Sequence, residues 1–206
     1  MARAAILAGG RARRFGGIDK SSLVVDGQTI LDRQMAMLQT VDVIREIMIV
    51  GATASHRSAR RIVDRVSGCG PLGGIHAALT AAAGGLGTPI QARGNAVFVL
   101  ACDMPYVPSA LVTYLLDLAQ NADAVIPLTE AGYHPLCAVY SLACLDPVGR
   151  RLAEGRLQVV GILDDVKARV VTVAELDRFG DPHRLLMNVN TPVDYLALQT
   201  SLSHQP

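Results

Sequence analysis

Short apolar runs and helical-period stripes alternate along most of this chain. Residues 4–7 (A-A-I-L), 46–50 (E-I-M-I-V) and 96–101 (A-V-F-V-L-A) are runs of strand length with hardly a polar break. Strands covered on both faces of a parallel sheet have that pattern. Residues 46–50 are expected to run parallel to 4–7, and 96–101 to be a central strand. Shorter strands are predicted at 23–25, 61–64, 124–127 and 170–173, and at 136–140, paired antiparallel. Leu31, Met35 and Leu38 recur at helical spacing behind Thr29, an N-cap residue, and predict a helix to about residue 40. Leu111, Leu115 and Leu118 mark a second helix over 109–120. Further helices are expected at 75–83, at 141–154 with its start delayed by Pro147, and at 174–178. A short helix with a basic face is expected at 54–60. Thr191-Pro192-Val193-Asp194 opens a last helix to about residue 202, with a cap, a proline at the first position and an acidic third position. Asp26-Gly27 and residues 129–132 read as turns, 84–94 as a mobile surface loop, and 161–165 fits neither pattern. Strands that alternate with helices in this way predict a three-layer α/β fold with a mostly parallel sheet.

The first strand runs into an unusual stretch. Gly9-Gly10 is followed by Arg11, Arg13 and Arg14, then by Gly16-Gly17, Asp19 and Lys20. Paired glycines allow positive φ and close backbone approach, and the exposed N–H groups of such a loop can point at an anion. Arginine grips phosphate oxygens in bidentate fashion and lysine acts as a point charge. The stretch reads as a phosphate site or as a glycine-rich surface turn with solvated cations. It is not a P-loop, lacking G-x-x-x-x-G-K-[ST], nor a dinucleotide fingerprint, lacking G-x-G-x-x-G.

Two other places could carry chemistry. Cys102-Asp103-Met104-Pro105 ends the apolar run 96–101. Ligands of open α/β sheets bind beyond such strand ends, so Asp103 could hold a cation against phosphates, or cap the turn before Pro105. Gly68–Gly74 leads into a helix whose first N–H groups could meet an anion or a base edge, or whose glycines let it pack close to the sheet.

Composition narrows the field. With 206 residues, half of them hydrophobic, the chain can bury a sizeable core in one domain. A formal net charge of +1 gives no argument for binding nucleic acid or a membrane surface. No apolar run approaches the ~20 residues of a membrane span, and no signal peptide is visible. The four cysteines, Cys69, Cys102, Cys137 and Cys144, form no C-x-x-C and no zinc spacing with histidine. They read as reduced small hydrophobes of a cytoplasmic protein.

The pattern L-A-G-G-x-x-x-R-(M/F)-G-G-x-D-K, here Leu7 to Lys20 with Phe15 where relatives usually have Met, closely resembles the opening of the molybdenum cofactor guanylyltransferases. This nucleotidyltransferase family is often called MobA. The resemblance continues in order through Asp64, Gly70-Pro71-Leu72-Gly73-Gly74, Cys102-Asp103-Met104-Pro105, His134-Pro135-Leu136 and Asn188-Val189-Asn190-Thr191-Pro192. It implies a Rossmann-like nucleotidyltransferase fold with a nucleotide-binding half, about residues 1–106, and an acceptor-binding half, about 107–206. It also implies that GMP passes from GTP to the terminal phosphate of molybdenum-molybdopterin, and that pyrophosphate leaves.

On that resemblance Arg14, Lys20 and Asp103 are the catalytic candidates. Leu7, Ala8, Gly9, Gly10, Lys20, Asp64, Gly70, Gly74 and Asp103 face the nucleotide, and Asn188 and Asn190 the pterin, unless they are turn residues ahead of the last helix. Asp103 is the ligand for Mg2+ (or Mn2+), and Asp64 the acceptor for guanine N1–H and its amino group. Guanylyl members read L-A-G-G and cytidylyl relatives L-A-A-G, so Gly9 favours GTP. The implied partners are GTP and the molybdopterin cofactor, with cofactor-delivery or molybdoenzyme proteins left open. One departure bears on the acceptor: relatives often carry two basic residues where this chain reads Gly155-Arg156-Leu157-Gln158. A cytidylyltransferase on the same pterin, a sugar-phosphate nucleotidyltransferase and a non-catalytic nucleotide-binding regulator are the alternatives.

Overall fold

A computed structural model describes residues 2–8, 20–51, 54–63, 68–84, 95–191 and 193–195. The first apolar run forms β1 (Ala2–Leu7). A hairpin of β2 (Val24–Val25) and β3 (Gln28–Thr29) leads into α1 (Ile30–Gln39), and β4 (Ile44–Val50) and β5 (Arg60–Ile62) follow. Then come α2 (Gly70–Gly84), β6 (Ala96–Ala101), α3 (Ser109–Leu118), β7 (Ala124–Thr129), β8 (Gly132–Tyr133) and β9 (Cys137–Ser141). The described chain ends with α4 (Leu145–Ala153), β10 (Ala168–Val171), α5 (Val173–Leu176) and α6 (Pro182–Leu185), and a further helical turn starts at Val193.

Seven strands lie in the order β10-β7-β9-β6-β1-β4-β5, with β8 paired to β7. β6, β1, β4 and β5 are mutually parallel, as are β7 and β10. β9 runs against both β6 and β7, as the sequence pattern anticipated, and β8 runs against β7.

Period-two alternation explains why the central runs must be apolar throughout. Ala4, Ile6, Phe98 and Leu100 join Leu31, Met35, Leu38, Leu111 and Leu115 on the face covered by α1 and α3. Ala5, Leu7, Val97 and Val99 join Leu72, Ile75, Leu79 and Val148 on the face covered by α2 and α4. Each such fully buried side chain contributes about 1.5–3 kcal/mol, and the result is the three-layer architecture. The Asp26-Gly27 turn has φ of 51° and 77°, so both central residues are left-handed, as a tight two-residue hairpin requires. Thr29 ends that hairpin and also caps α1, accepting from the Asp32 amide at 3.0 Å.

Several local expectations need correction. Residues 54–59 form turns and irregular chain instead of a helix; only Ala54 is buried there, so no apolar stripe exists to pack a helix face. The brief edge strand is Arg60–Ile62 rather than 61–64. α2 starts at Gly70, five residues before Ile75, because Gly70 takes φ of 58° and Pro71 suits a first turn. The start of α4 is delayed to Leu145, behind a 3-10 turn at Leu142–Cys144, which puts Pro147 in the helix's first turn, where no intrahelical N–H is needed. Residues 161–165 belong largely to a 3-10 segment, Val159–Asp164. The strand expected at 170–173 is Ala168–Val171, because Thr172 closes a capping box with Glu175 and starts α5. The loop after Gly84 and the last helix beyond residue 195 lie outside the described residues.

Candidate active site at the strand ends

The carboxyl ends of β1, β4 and β6 are level with one another. The Cys102 amide donates to Leu7 O at 3.2 Å, and the Ala8 amide to Val50 O at 2.8 Å. The Ala101 amide donates to Leu136 O at 2.8 Å, which brings His134-Pro135-Leu136 to the end of β6. The Val189 amide donates to Asp103 O at 2.8 Å. That bond sets Asn188 and Asn190, both exposed, beside the turn that carries Asp103. On the other face a Cβ at Gly74 would lie 3.3 Å from a Leu7 methyl. Glycine there lets the first turns of α2, Gly70 included, sit against the end of β1. Four stretches remote in sequence thus converge on one sheet edge, and Leu7, Ala8, Gly70, Gly74, Asp103, Asn188 and Asn190 lie along it.

Gly9, Gly10, Arg14 and Asp64 lie outside the described residues. Lys20 opens a 3-10 turn, Lys20–Ser22, directly before the β2–β3 hairpin, and its side chain is likewise outside them. That hairpin is bound to the C-terminal stretch. Leu23, Val25, Ile30 and Val189 form a small core with Tyr106, Met187 and Tyr195, and Tyr195 donates its hydroxyl to Val24 O at 2.8 Å. Asn190 also serves the turn reading given for it. Its amide and that of Thr191 donate to Asp194 Oδ2 at 2.9 and 2.8 Å, and the Asp194 amide returns to Thr191 Oγ1 at 3.2 Å. The expected cap of the last helix is present, and it uses the Asn190 main chain while the side chain stays exposed.

Asp103 is half-buried, with its Oδ1 shielded from solvent. No group of three or more His, Cys, Asp or Glu side chains able to hold a metal exists among the described residues. A single carboxylate among the described residues suits Mg2+, which keeps several waters and takes one or two carboxylates plus substrate oxygens. It does not suit a metal that needs a full protein cage. Burial pushes the Cys137 and Cys144 thiols up to about 12, and no disulfide joins the four cysteines. His134 is held neutral by burial, which lowers its pKa, and its Nε2 lies 2.8 Å from Thr129 Oγ1. Arg156, in the segment that departs from the family pattern, is exposed and paired with Glu154 at 2.6 Å.

A family model described as the MobA-like NTP transferase domain matches residues 4–168. The chain belongs to the MobA-like NTP transferase family. It is 32% identical over 191 residues, 90% of this chain and 88% of the other, to the molybdenum cofactor guanylyltransferase of Desulfosudis oleivorans. The crystal structure of molybdopterin-guanine dinucleotide biosynthesis protein A from Archaeoglobus fulgidus superimposes with a TM-score of 0.78 at 24% identity, covering 100% of both chains. 2-C-methyl-D-erythritol 4-phosphate cytidylyltransferase from Thermus thermophilus superimposes with a TM-score of 0.63 at 14% identity, covering 97% of this chain and 98% of that one. These two structures share the fold. A MobA-like chain is a nucleotidyltransferase.

Three side chains near this MobA-like edge escaped the sequence reading. Gln34 is 2% exposed, and its Nε2 donates to Ala101 O at 2.8 Å and Met104 O at 2.9 Å. Arg33 pairs with Asp26 at 3.0 Å and donates to Pro105 O at 3.4 Å. Tyr106 lies against two guanidinium groups, Arg33 at 5.6 Å and Arg184 at 5.0 Å from its ring centre. A signal for Gln34 was present: it sits three residues after Leu31 and four before Leu38, a polar residue on the buried stripe of α1. Arg33 and Tyr106 carried none.

Proposed function

We propose that this chain transfers GMP from GTP to the terminal phosphate of molybdenum-molybdopterin. An acceptor phosphate oxygen forms a bond to the α-phosphorus, the bond from that phosphorus to the β-phosphate oxygen breaks, and pyrophosphate leaves. The observation that carries the reading is the Val189–Asp103 hydrogen bond, 2.8 Å. It joins the stretch assigned to the pterin to the main chain of Asp103, the residue whose carboxylate is assigned to the nucleotide's metal, and so sets the two proposed substrate sides next to each other, as transfer between two bound substrates requires. The named relative, at 32% identity over most of both chains, supports the substrates.

In this reading Gly9 and Gly10 bring backbone N–H groups to the triphosphate, and Arg14 and Lys20 stabilise the charge that gathers on the leaving pyrophosphate. Asp64 accepts from the donor edge of guanine. Asp103 holds Mg2+ (or Mn2+), which when bound neutralises phosphate charge and templates the geometry. Leu7, Ala8, Gly70 and Gly74 shape the nucleotide floor, and Asn188 and Asn190 orient the pterin. Residues 1–106 then serve the nucleotide and 107–206 the acceptor. Among the described residues no helix is long and apolar enough to cross a membrane.

The test is to incubate the purified chain with Mg2+, a molybdopterin source and either GTP or CTP, and to follow pyrophosphate release and the dinucleotide formed. GTP should be used well ahead of CTP, because a site built on hydrogen bonds to guanine rejects a base lacking them. Equal transfer from CTP would replace this reading with the cytidylyl one.

A further inference from the structure

We infer that Gln34 is a positioning residue that holds the Asp103 turn in metal-binding geometry; this rests on the function proposed above. The side chain is 2% exposed on the sheet-facing stripe of α1, among Leu31, Met35 and Leu38. Its amide nitrogen donates to two carbonyls that bracket Cys102-Asp103: Ala101 O at 2.8 Å and Met104 O at 2.9 Å. One NH2 group has two hydrogens in a fixed plane. Spent on two carbonyls three residues apart, they fix the span of the turn between them. Main-chain bonds also hold this turn, from Cys102 N to Leu7 O and from Val189 N to Asp103 O. Arg33, the next residue on α1, reaches only the far side of the turn, at Pro105 O, 3.4 Å; Gln34 is the buried α1 side chain whose two bonds bracket Asp103 itself.

The amide carries a cost as well as its two bonds. Among the described residues the Oε1 of Gln34 is buried with no hydrogen-bond partner, and leaving a buried acceptor unmade is unfavourable. An unbranched apolar residue would fill the same space without that penalty. What it would lack is the double donor to the turn. Groups one step behind a ligand orient it, and their loss commonly weakens metal binding ten- to a hundredfold.

The experiment compares wild type, Gln34→Met and Asp103→Ala. Mn2+ binding is read by electron paramagnetic resonance with and without GTP, alongside thermal unfolding and the Mg2+ dependence of turnover. Gln34→Met keeps volume and removes the donor. It should remain folded, bind Mn2+ about tenfold more weakly, and need correspondingly more Mg2+ for half-maximal rate, with little change in the GTP KM at saturating metal. An unaltered Mn2+ affinity and Mg2+ requirement in the folded variant overturns the inference. If Gln34→Met does not fold, Gln34→Asn, which retracts the amide by one methylene, is measured in the same way against the same expectation. Failure of both to fold assigns Gln34 to the core alone and also overturns it. A wild type that binds Mn2+ more tightly than Asp103→Ala but transfers no GMP defeats the substrate reading and leaves the role of Gln34 standing.

Discussion

In β6 all six residues are buried and none is polar. Across the sheet, where α5 meets α3, one carboxylate gathers the structure instead. Glu175 accepts from the Tyr114 hydroxyl at 2.7 Å, from the amide and hydroxyl of Thr172 at 2.9 Å each, and from Arg169. Arg178 lies over Tyr114 and Phe179. On the opposite face of the sheet Arg151, only 6% exposed, pairs with Asp165 and Asp164, and a Cβ at Gly161 would collide with its guanidinium. The centre is held by dispersion and solvent exclusion, which pH and salt barely touch. The flank is held by charge-assisted hydrogen bonds, which depend on protonation. The groups proposed to react, which must keep fixed spacings, are assigned to the end of the first kind of structure.

The largest effect should come from the centre. Phe98→Ala removes a fully buried ring from β6 and should cost about 3–5 kcal/mol, measured by urea unfolding. A loss below about 1 kcal/mol would mean that the centre is no better packed than the flank. Next, Asp103→Ala should leave unfolding close to wild type and lower turnover more than ~100-fold, since a metal acting on phosphoryl oxygens supplies several kcal/mol in the transition state. Near-normal turnover at saturating Mg2+ would remove the carboxylate from the site. The smallest effect belongs to the flank. Burial alone would raise the Glu175 pKa, but hydrogen bonds from Thr172, Tyr114 and Arg169 outweigh it and hold the group at about 2 against 4.5 for an ordinary glutamate. A depressed carboxylate contributes stability that is present above its unfolded pKa and lost as pH falls through the folded one. Tm should therefore decline as pH is lowered from about 4.5 towards 2, and Glu175→Gln should flatten that decline. Solvent screening keeps the difference under ~1 kcal/mol. An unchanged acid profile in the variant would show that the knot adds nothing.

The same contrast governs what the sequence could reveal. The central strands were legible because double-sided burial leaves no freedom in residue type: 96–101 and 46–50 read as strands on hydrophobicity alone. The hairpin turn and the caps at Thr29 and Thr191 were legible because only a few residue types satisfy their backbone needs. Residues 54–60 misled because basic residues between two strands carry no period, and the edge strand claimed Arg60. Of the candidate site, Asp103 could be placed from its strand end. The Val189 contact could not be, because a main-chain hydrogen bond between residues far apart leaves no mark on side-chain identity. Gln34 was visible only as an anomaly, a polar residue on an apolar stripe, and its purpose lay in a turn whose position the sequence does not state.

The bond between Val189 and Asp103 also sets an order of events in time. Translation delivers the described sheet first: among the described residues its last strand, β10, ends at Val171. The strut beneath Asp103 arrives only when residue 189 has cleared the ribosome. A nascent chain can thus have every strand in place while the turn that carries its carboxylate is still waiting for its last tie. The edge proposed to handle two reactive phosphates is then finished after the scaffold that bears it.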